Sequence, residues 1–341
     1  MTARKEILDV TPAEWKMIAN TVTEMKNRGW VRHFSQIHTV YFDDIHESSM
    51  FMPFHRRFLR TYELVGQRIN PGFFIPYWDE YRDYRHTASS KVLSSQYLGG
   101  SGVDGCVNDG FQAGWMVDYP EPHCLKRAFR NNGTMPSWYS QPYILSLMRR
   151  SSTMAALRDR IENTQHAVTH VFMGGDMFHP FSPNDFAFMV HHAFIDRVWA
   201  EWQAQDNQNT FDGPDGKGQE MTLSSPIVYL NATVGSVMQM GCGDMCFEYA
   251  ESPASASSTG RMLSALGALP DGVRAKWFPK TPGHPGTGSD TSSRLQLPQP
   301  GDIADDLVAF GSTDRAEAER LRAEAREFVR AMNAAGYHPN M

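Results

Sequence analysis

The sequence predicts a mainly α-helical fold with a four-helix bundle core, long loops and few short strands. Three observations carry that prediction. Apolar residues recur at helical spacing in several stretches between about 12 and 250, and histidines fall on those apolar faces. Gly- and Pro-rich loops separate the stretches. From Glu251 the composition shifts to Ser-Pro-Ala-Ser-Ala-Ser-Ser-Thr-Gly, a linker-like run. The expected organisation is one domain over 1–250, followed over 251–341 by a linker and a C-terminal helical extension packed on it.

Bulk properties narrow the class. The 341 residues are 41% hydrophobic and 21% charged, as in an ordinary globular protein with a sizeable core. The net charge is -6 and the basic residues are scattered, which argues against a nucleic-acid partner. No run of apolar residues is long enough to span a membrane, so no membrane partner is expected. The first thirty residues lack an apolar signal core, so the chain is either intracellular or a processed form with a new initiator Met. Four cysteines, Cys106, Cys124, Cys242 and Cys246, allow two disulfides in three connectivities. With the sequons at Asn132 and Asn231, they tilt the expectation towards a secreted protein.

In the first helical stretch, Trp30, Phe34, His38, Tyr41 and Ile45 share one face, so His38 points into the core. The second helix starts at Pro53, a residue suited to a first helical position. Along it Phe51, His55, Phe58, Leu59, Tyr62 and Val65 line the apolar side, with Arg56, Arg57 and Arg60 opposite. His46 falls between the two. In the third, His166 and His170 lie one turn apart on one face, and Gly174-Gly175 stops the helix. In the fourth, Phe188, His192, Ile195, Trp199 and Trp202 share a face, with His191 to one side. A last amphipathic helix is expected from Thr313 to Ala335, with Asp314, Glu317 and Glu319 at the positive end of its dipole.

One inward histidine is usually a satisfied core residue, but this many on facing helices suggest a metal site in a bundle interior. Imidazole suits Zn, Cu, Fe and Ni alike. A zinc protease would carry Glu beside the first histidine of the i, i+4 pair, where Ala167 stands. Structural zinc without cysteine is unusual. A non-haem iron site would add a carboxylate. All-histidine triplets favour copper, with two ions facing each other across bound O2.

Four segments then resemble the tyrosinase and catechol oxidase family, the type 3 copper proteins, particularly its short fungal-type members. They are Met52–Leu59, Ile75–Asp79, His166-x3-His170 with Gly174–Met177, and Asn184–His192 running into Ile195–Trp199. Cys246–Tyr249 resembles the tyrosine motif that closes the family's catalytic core. The resemblance covers roughly residues 10–250. It implies copper A ligands His38, His46 and His55, and copper B ligands His166, His170 and His192.

The implied activity is polyphenol oxidation: small phenolic substrates are converted to o-quinones while O2 is reduced to water. The alternative is a hemocyanin-like O2 carrier, whose site is shielded by a further domain. The roughly 90 residues after Tyr249 look too short and linker-like for such shielding. Departures from the family also matter. Asp44 stands where many relatives have a thioether-forming Cys. Ala167 replaces an Asn that holds a water for monophenol deprotonation, which shifts the expected substrates to o-diphenols or o-aminophenols. Glu162 is the candidate water-binding carboxylate, His179 the candidate gate residue, and Phe188 is expected to pack against the coppers. Asp196 is expected to orient a ligand imidazole or to pair with an Arg. His191 is expected to pack beside the site without binding metal. His33, His86, His123, His284 and His338 are expected as surface or loop residues.

Overall fold

The apolar face of residues 30–45 is split between two helices. The first spans Trp30–Val40, the chain leaves helical geometry at Tyr41 (φ -103°, ψ 14°), and a single turn follows over Phe42–Ile45. In an unbroken helix His38 and His46 would stand about 12 Å apart along the axis. The break brings their ring centroids to 5.1 Å. The structure is a computed structural model that describes residues 1–102, 104–241, 243–283, 296–310 and 313–337. His284, His338 and Cys242 lie outside the described residues.

The helix carrying His55 spans Phe51–Ile69, starting two residues before Pro53. Its arginines do not all face solvent as the periodicity suggested. Arg56 is wholly buried, with Nε donating to Asp196 Oδ1 at 2.5 Å and the guanidinium stacked on Trp199. Arg60 is also buried and pairs with Glu63 at 2.7 Å. A buried guanidinium persists only where carboxylates and carbonyls satisfy its fork, and beside Arg56 the side chain of Gln203 and the carbonyls of Val237 and Met238 add to Asp196.

The third histidine segment runs from a helix over Met154–Ile161 through a π-turn, Glu162–His166, into the Ala167–Met173 helix. Gly174 ends it at φ 57°, where an added Cβ would lie 2.4 Å from the Ala128 carbonyl oxygen, so glycine is required. The fourth helix spans Phe186–Gln203, and the Asp185 carboxylate caps it by accepting from the Ala187 N–H at 2.9 Å. Arg127 holds the same carboxylate through two bonds, at 2.6 and 2.8 Å.

Among the described residues, strands form three two-stranded pairs. Thr2–Arg4 lies parallel to Phe247–Tyr249, Met116–Val117 antiparallel to His123–Cys124, and Pro226–Ile227 antiparallel to Ala232–Thr233. The first pair closes the core by joining its two ends, and Arg4 reaches inward to Glu63 at 3.1 Å. Cys106 and Cys124 form a disulfide, and Cys246 is free.

Beyond Glu251 lie helices at Pro253–Gly267, Asp271–Trp277, Ala304–Phe310 and Arg315–Ala334. The last starts two residues after the expected Thr313, because the Asp314 side chain caps it by accepting from the Glu317 N–H at 2.8 Å. Phe328 on this helix meets Trp277 and the core residue Tyr143, each with ring centroids at 5.2 Å. Arg150 adds an ion pair to Glu324 at 2.5 Å. The extension is therefore docked along the core. None of the described helices is long and apolar enough to cross a membrane.

Candidate dinuclear metal centre

The four helical segments bring two histidine groups together: His38, His46 and His55 in one, His166, His170, His191 and His192 in the other. Within each group one ligand atom per residue lies within 4.8 Å of the others. The groups face each other. His55 stacks on His192 at 4.3 Å between ring centroids, and His46 stacks on His166 at 5.7 Å.

Backbone carbonyls set the orientation of the rings. The Nδ1 atoms of His38, His46, His55, His166 and His170 are hydrogen-bonded to the carbonyls of Pro180, Phe42, Phe51, Glu162 and Met177, at 2.6, 3.1, 2.8, 3.2 and 2.6 Å. A carbonyl only accepts, so each Nδ1 carries the proton and a neutral ring leaves its lone pair on Nε2. Burial pushes the imidazoles towards that neutral form: His38 and His170 down to about 3, with His46, His55, His166 and His192 also well below the usual value.

The Nε2 atoms then converge. His38 Nε2 lies 3.4 Å from His55 Nε2, and His170 Nε2 lies 3.3 Å from His192 Nε2. With Nδ1 already donating, no ring proton remains to join His38 and His55. A shared cation relieves the repulsion between such nitrogens, so this donor set fits bound metal. Neutral imidazoles without carboxylate or thiolate are compatible with copper, as with Zn, Fe and Ni.

Aromatic rings pack the space between the groups. Phe188 is fully buried, stacks on His192 at 4.0 Å and meets His38 edge-on at 5.0 Å. Phe51 lies 4.7 Å from His55 and 4.8 Å from His166. Phe42 stacks on His46 at 4.2 Å. Sequence reasoning did not assign Phe51 or Phe42 to the site, although their positions four residues before a histidine offered the signal.

A small cavity touches both groups. Among the described residues it is lined by His46, Glu162, His166, Ala167, His170, Val171 and Phe178, together with Asp306 and Leu307 from the extension. It offers about 10 Å³, room for one water. The residues after Tyr249 thus contribute one short helix to the cavity wall, with Leu307 buried and Asp306 held by Arg130.

Glu162 and Ala167 stand in the cavity wall. Glu162 is buried, accepts from the Glu47 N–H at 2.9 Å and pairs with Arg158 at 3.3 Å. Burial pushes its carboxyl up to about 7. His179 is not brought to the histidines. Its side chain is exposed and its ring lies on Phe181 at 4.9 Å. Phe178, the last residue of the 3-10 turn Gly175–Phe178, lines the cavity instead.

Asp196 does not orient an imidazole: it accepts from Arg56 and from the Tyr249 hydroxyl, the latter at 2.6 Å. Arg197 pairs with Glu201 instead. Asp44 faces Lys217 at 3.7 Å. His33 is partly exposed and His86 exposed. His123 is more than a loop residue, since it lies in a short strand and its Nε2 meets Asp176 at 3.0 Å. His191 is buried with its Nδ1 on Glu80 Oε1 at 2.6 Å.

A helical bundle holding two facing histidine groups that could each hold a metal ion defines a candidate dinuclear metal centre. Residues 15–205 match the family described as Tyrosinase, common central domain of tyrosinase. The chain is 31% identical over 264 residues to a tyrosinase of Streptomyces antibioticus, covering 70% of this chain and 96% of that one. It is 32% identical over 245 residues to the tyrosinase-like protein phomQ2 of Diaporthe leptostromiformis, covering 63% of this chain and 62% of that one. The fold is similar to that of a variant polyphenol oxidase from Thermothelomyces thermophila, with a TM-score of 0.62 and 22% identity over 74% of this chain and 89% of that chain. A functional unit of octopus hemocyanin shares it at a TM-score of 0.51, with 16% identity over 74% of this chain and 68% of that chain. The chain belongs to the tyrosinase family.

Proposed function

We propose that this protein is a copper-dependent polyphenol oxidase that takes o-diphenols or o-aminophenols to o-quinones or their imine equivalents, with O2 reduced to water. The observation that carries this reading is the pair of facing all-histidine groups whose Nε2 atoms converge, with no ring proton left between His38 and His55. His38, His46 and His55 would hold one copper, and His166, His170 and His192 the other. Bound there, copper would supply the redox chemistry by which two catechols and one O2 become two quinones and two waters.

The chain's own residues do the rest. Carbonyl contacts at Nδ1 keep the imidazoles aimed inward, and Phe188 and Phe51 exclude water from the space between the groups. Glu162, with its carboxyl raised to about 7, is placed to accept a phenolic proton near neutral pH. Ala167 offers no side-chain partner for a water, which supports a preference for substrates that already carry the second ortho group. We further propose that the protein is exported. The Cys106–Cys124 disulfide and the exposed Asn132 and Asn231 sequons support that reading.

The test is to load purified protein with copper, quantify the metal and follow quinone formation from 4-tert-butylcatechol and from paired mono- and diphenols. Two coppers per chain with catechol turnover is the expected result. The small size of the cavity favours a second reading, an O2-binding protein. Reversible O2 binding without oxidation of any catechol or aminophenol would select it.

A further inference from the structure

Glu80 is a fully buried carboxyl group hydrogen-bonded to three side chains on two chain segments. Its Oε2 accepts from Gln165 Nε2 at 2.5 Å and Thr169 Oγ1 at 3.2 Å, and its Oε1 meets His191 Nδ1 at 2.6 Å. Gln165, Thr169 and His191 each immediately precede one member of the second triplet: His166, His170 and His192. Gln165 and Thr169 sit on the segment that supplies two of those imidazoles, and His191 sits on the helix that supplies the third. We propose that Glu80 is the positioning residue of the second triplet, one carboxylate that sets the spacing of the two segments contributing its ligands. This rests on the copper reading above.

The Glu80 carboxyl presents both oxygens to these partners, Oε2 to two donors and Oε1 to the His191 ring. A neutral amide at the same place has one oxygen and would turn an N–H₂ towards at least one donor. Glu80 is itself held firmly. It opens a single helical turn over Glu80–Asp83, capped by Asp79, and the Trp78 N–H donates to the Val190 carbonyl at 3.1 Å. Asp79 is held in turn by Ser255 of the extension. From Glu80 the constraint passes into the triplet through His191, whose ring stacks on His166 at 5.6 Å and meets His192 at 5.1 Å. In the first triplet carbonyls hold the three rings, and Glu162 is bonded beside a ligand, accepting from the Glu47 N–H next to His46. A buried carboxylate costs free energy unless fully bonded, and at Glu80 all the partners flank ligands.

The test is Glu80→Gln, with metal-free protein reconstituted with Cu(II) and titrated with a chelator while copper content and EPR are followed. A coupled copper pair gives little EPR signal, whereas a lone Cu(II) gives a full one. The proposal expects one copper to weaken by about 10–100-fold while the other keeps its affinity, and an EPR signal to rise towards one spin per chain. Retention of two tight, EPR-silent coppers overturns the proposal. Equal loss of both also overturns it, because it marks general destabilisation. If Glu80→Gln does not accumulate as folded protein, Thr169→Val deletes one donor and is read in the same way. Failure of the parent protein to bind two coppers would instead defeat the copper reading itself.

Discussion

His55 Nε2 lies 3.4 Å from His38 Nε2, and both rings have their Nδ1 committed to a backbone carbonyl. Two lone pairs held that close, in a buried site, mark a place prepared for a cation. His55→Ala should therefore lower bound copper from two per chain to about one and remove catechol oxidation, and His192→Ala should do the same at the opposite group. Metal analysis and a quinone assay on one sample check both, and activity surviving either change means these ligands are misassigned.

Ala167 follows His166 and lines the cavity beside Glu162. Ala167→Asn adds an amide able to share a water with that carboxyl. The ratio of monophenol to diphenol turnover should rise several-fold, measured with tyrosine and its diphenol. An unchanged ratio removes the hydrogen-bonding explanation of substrate preference.

Leu307 reaches the cavity from a seven-residue helix that Arg130 ties down through Asp306. A cavity of about 10 Å³ cannot admit a phenolic ring, so substrate entry requires this contact to give way. Leu307→Ala should raise kcat/KM for 4-tert-butylcatechol several-fold, with little change in copper content. Equal kcat/KM in the parent and variant proteins would show that access lies elsewhere.

Metal-free protein should weaken in mild acid. His38 and His170 titrate near 3 when folded, against an ordinary value near 6.5. Between those values the unfolded chain holds more protons, so stability falls as pH drops from 6.5 towards 3 and is flat above 6.5. Each such histidine contributes up to about 1.4 kcal/mol per pH unit in that window. Urea midpoints of chelator-treated protein at pH 7.5, 5.5 and 4.5 should decline in that order. A constant midpoint falsifies the claim that these rings stay neutral when folded.

Much of the centre was legible because helical periodicity is a local property. The four-residue spacing of Phe34 and His38, and of Phe188 and His192, turns those imidazoles inward whatever else the chain does. His46 was not legible in this way. Its place depends on a backbone break at Tyr41 that the apolar spacing of residues 30–45 hides. Arg56 misled for a related reason, since a charged residue opposite an apolar stripe reads as solvated until a buried Asp196 is found beside it.

By itself the sequence determined the helical class, five of the six inward histidines and, through its motifs, the family. Only the tertiary structure decided what surrounds them: Glu80 between two ligand-bearing segments, Leu307 over the cavity, His179 turned outward and Asp196 on Arg56. The physical reason is range. Side-chain direction along a helix follows from a few neighbouring residues. A buried carboxylate or a covering helix is defined by partners far along the chain, 111 positions apart for Glu80 and His191 and 174 for Arg150 and Glu324.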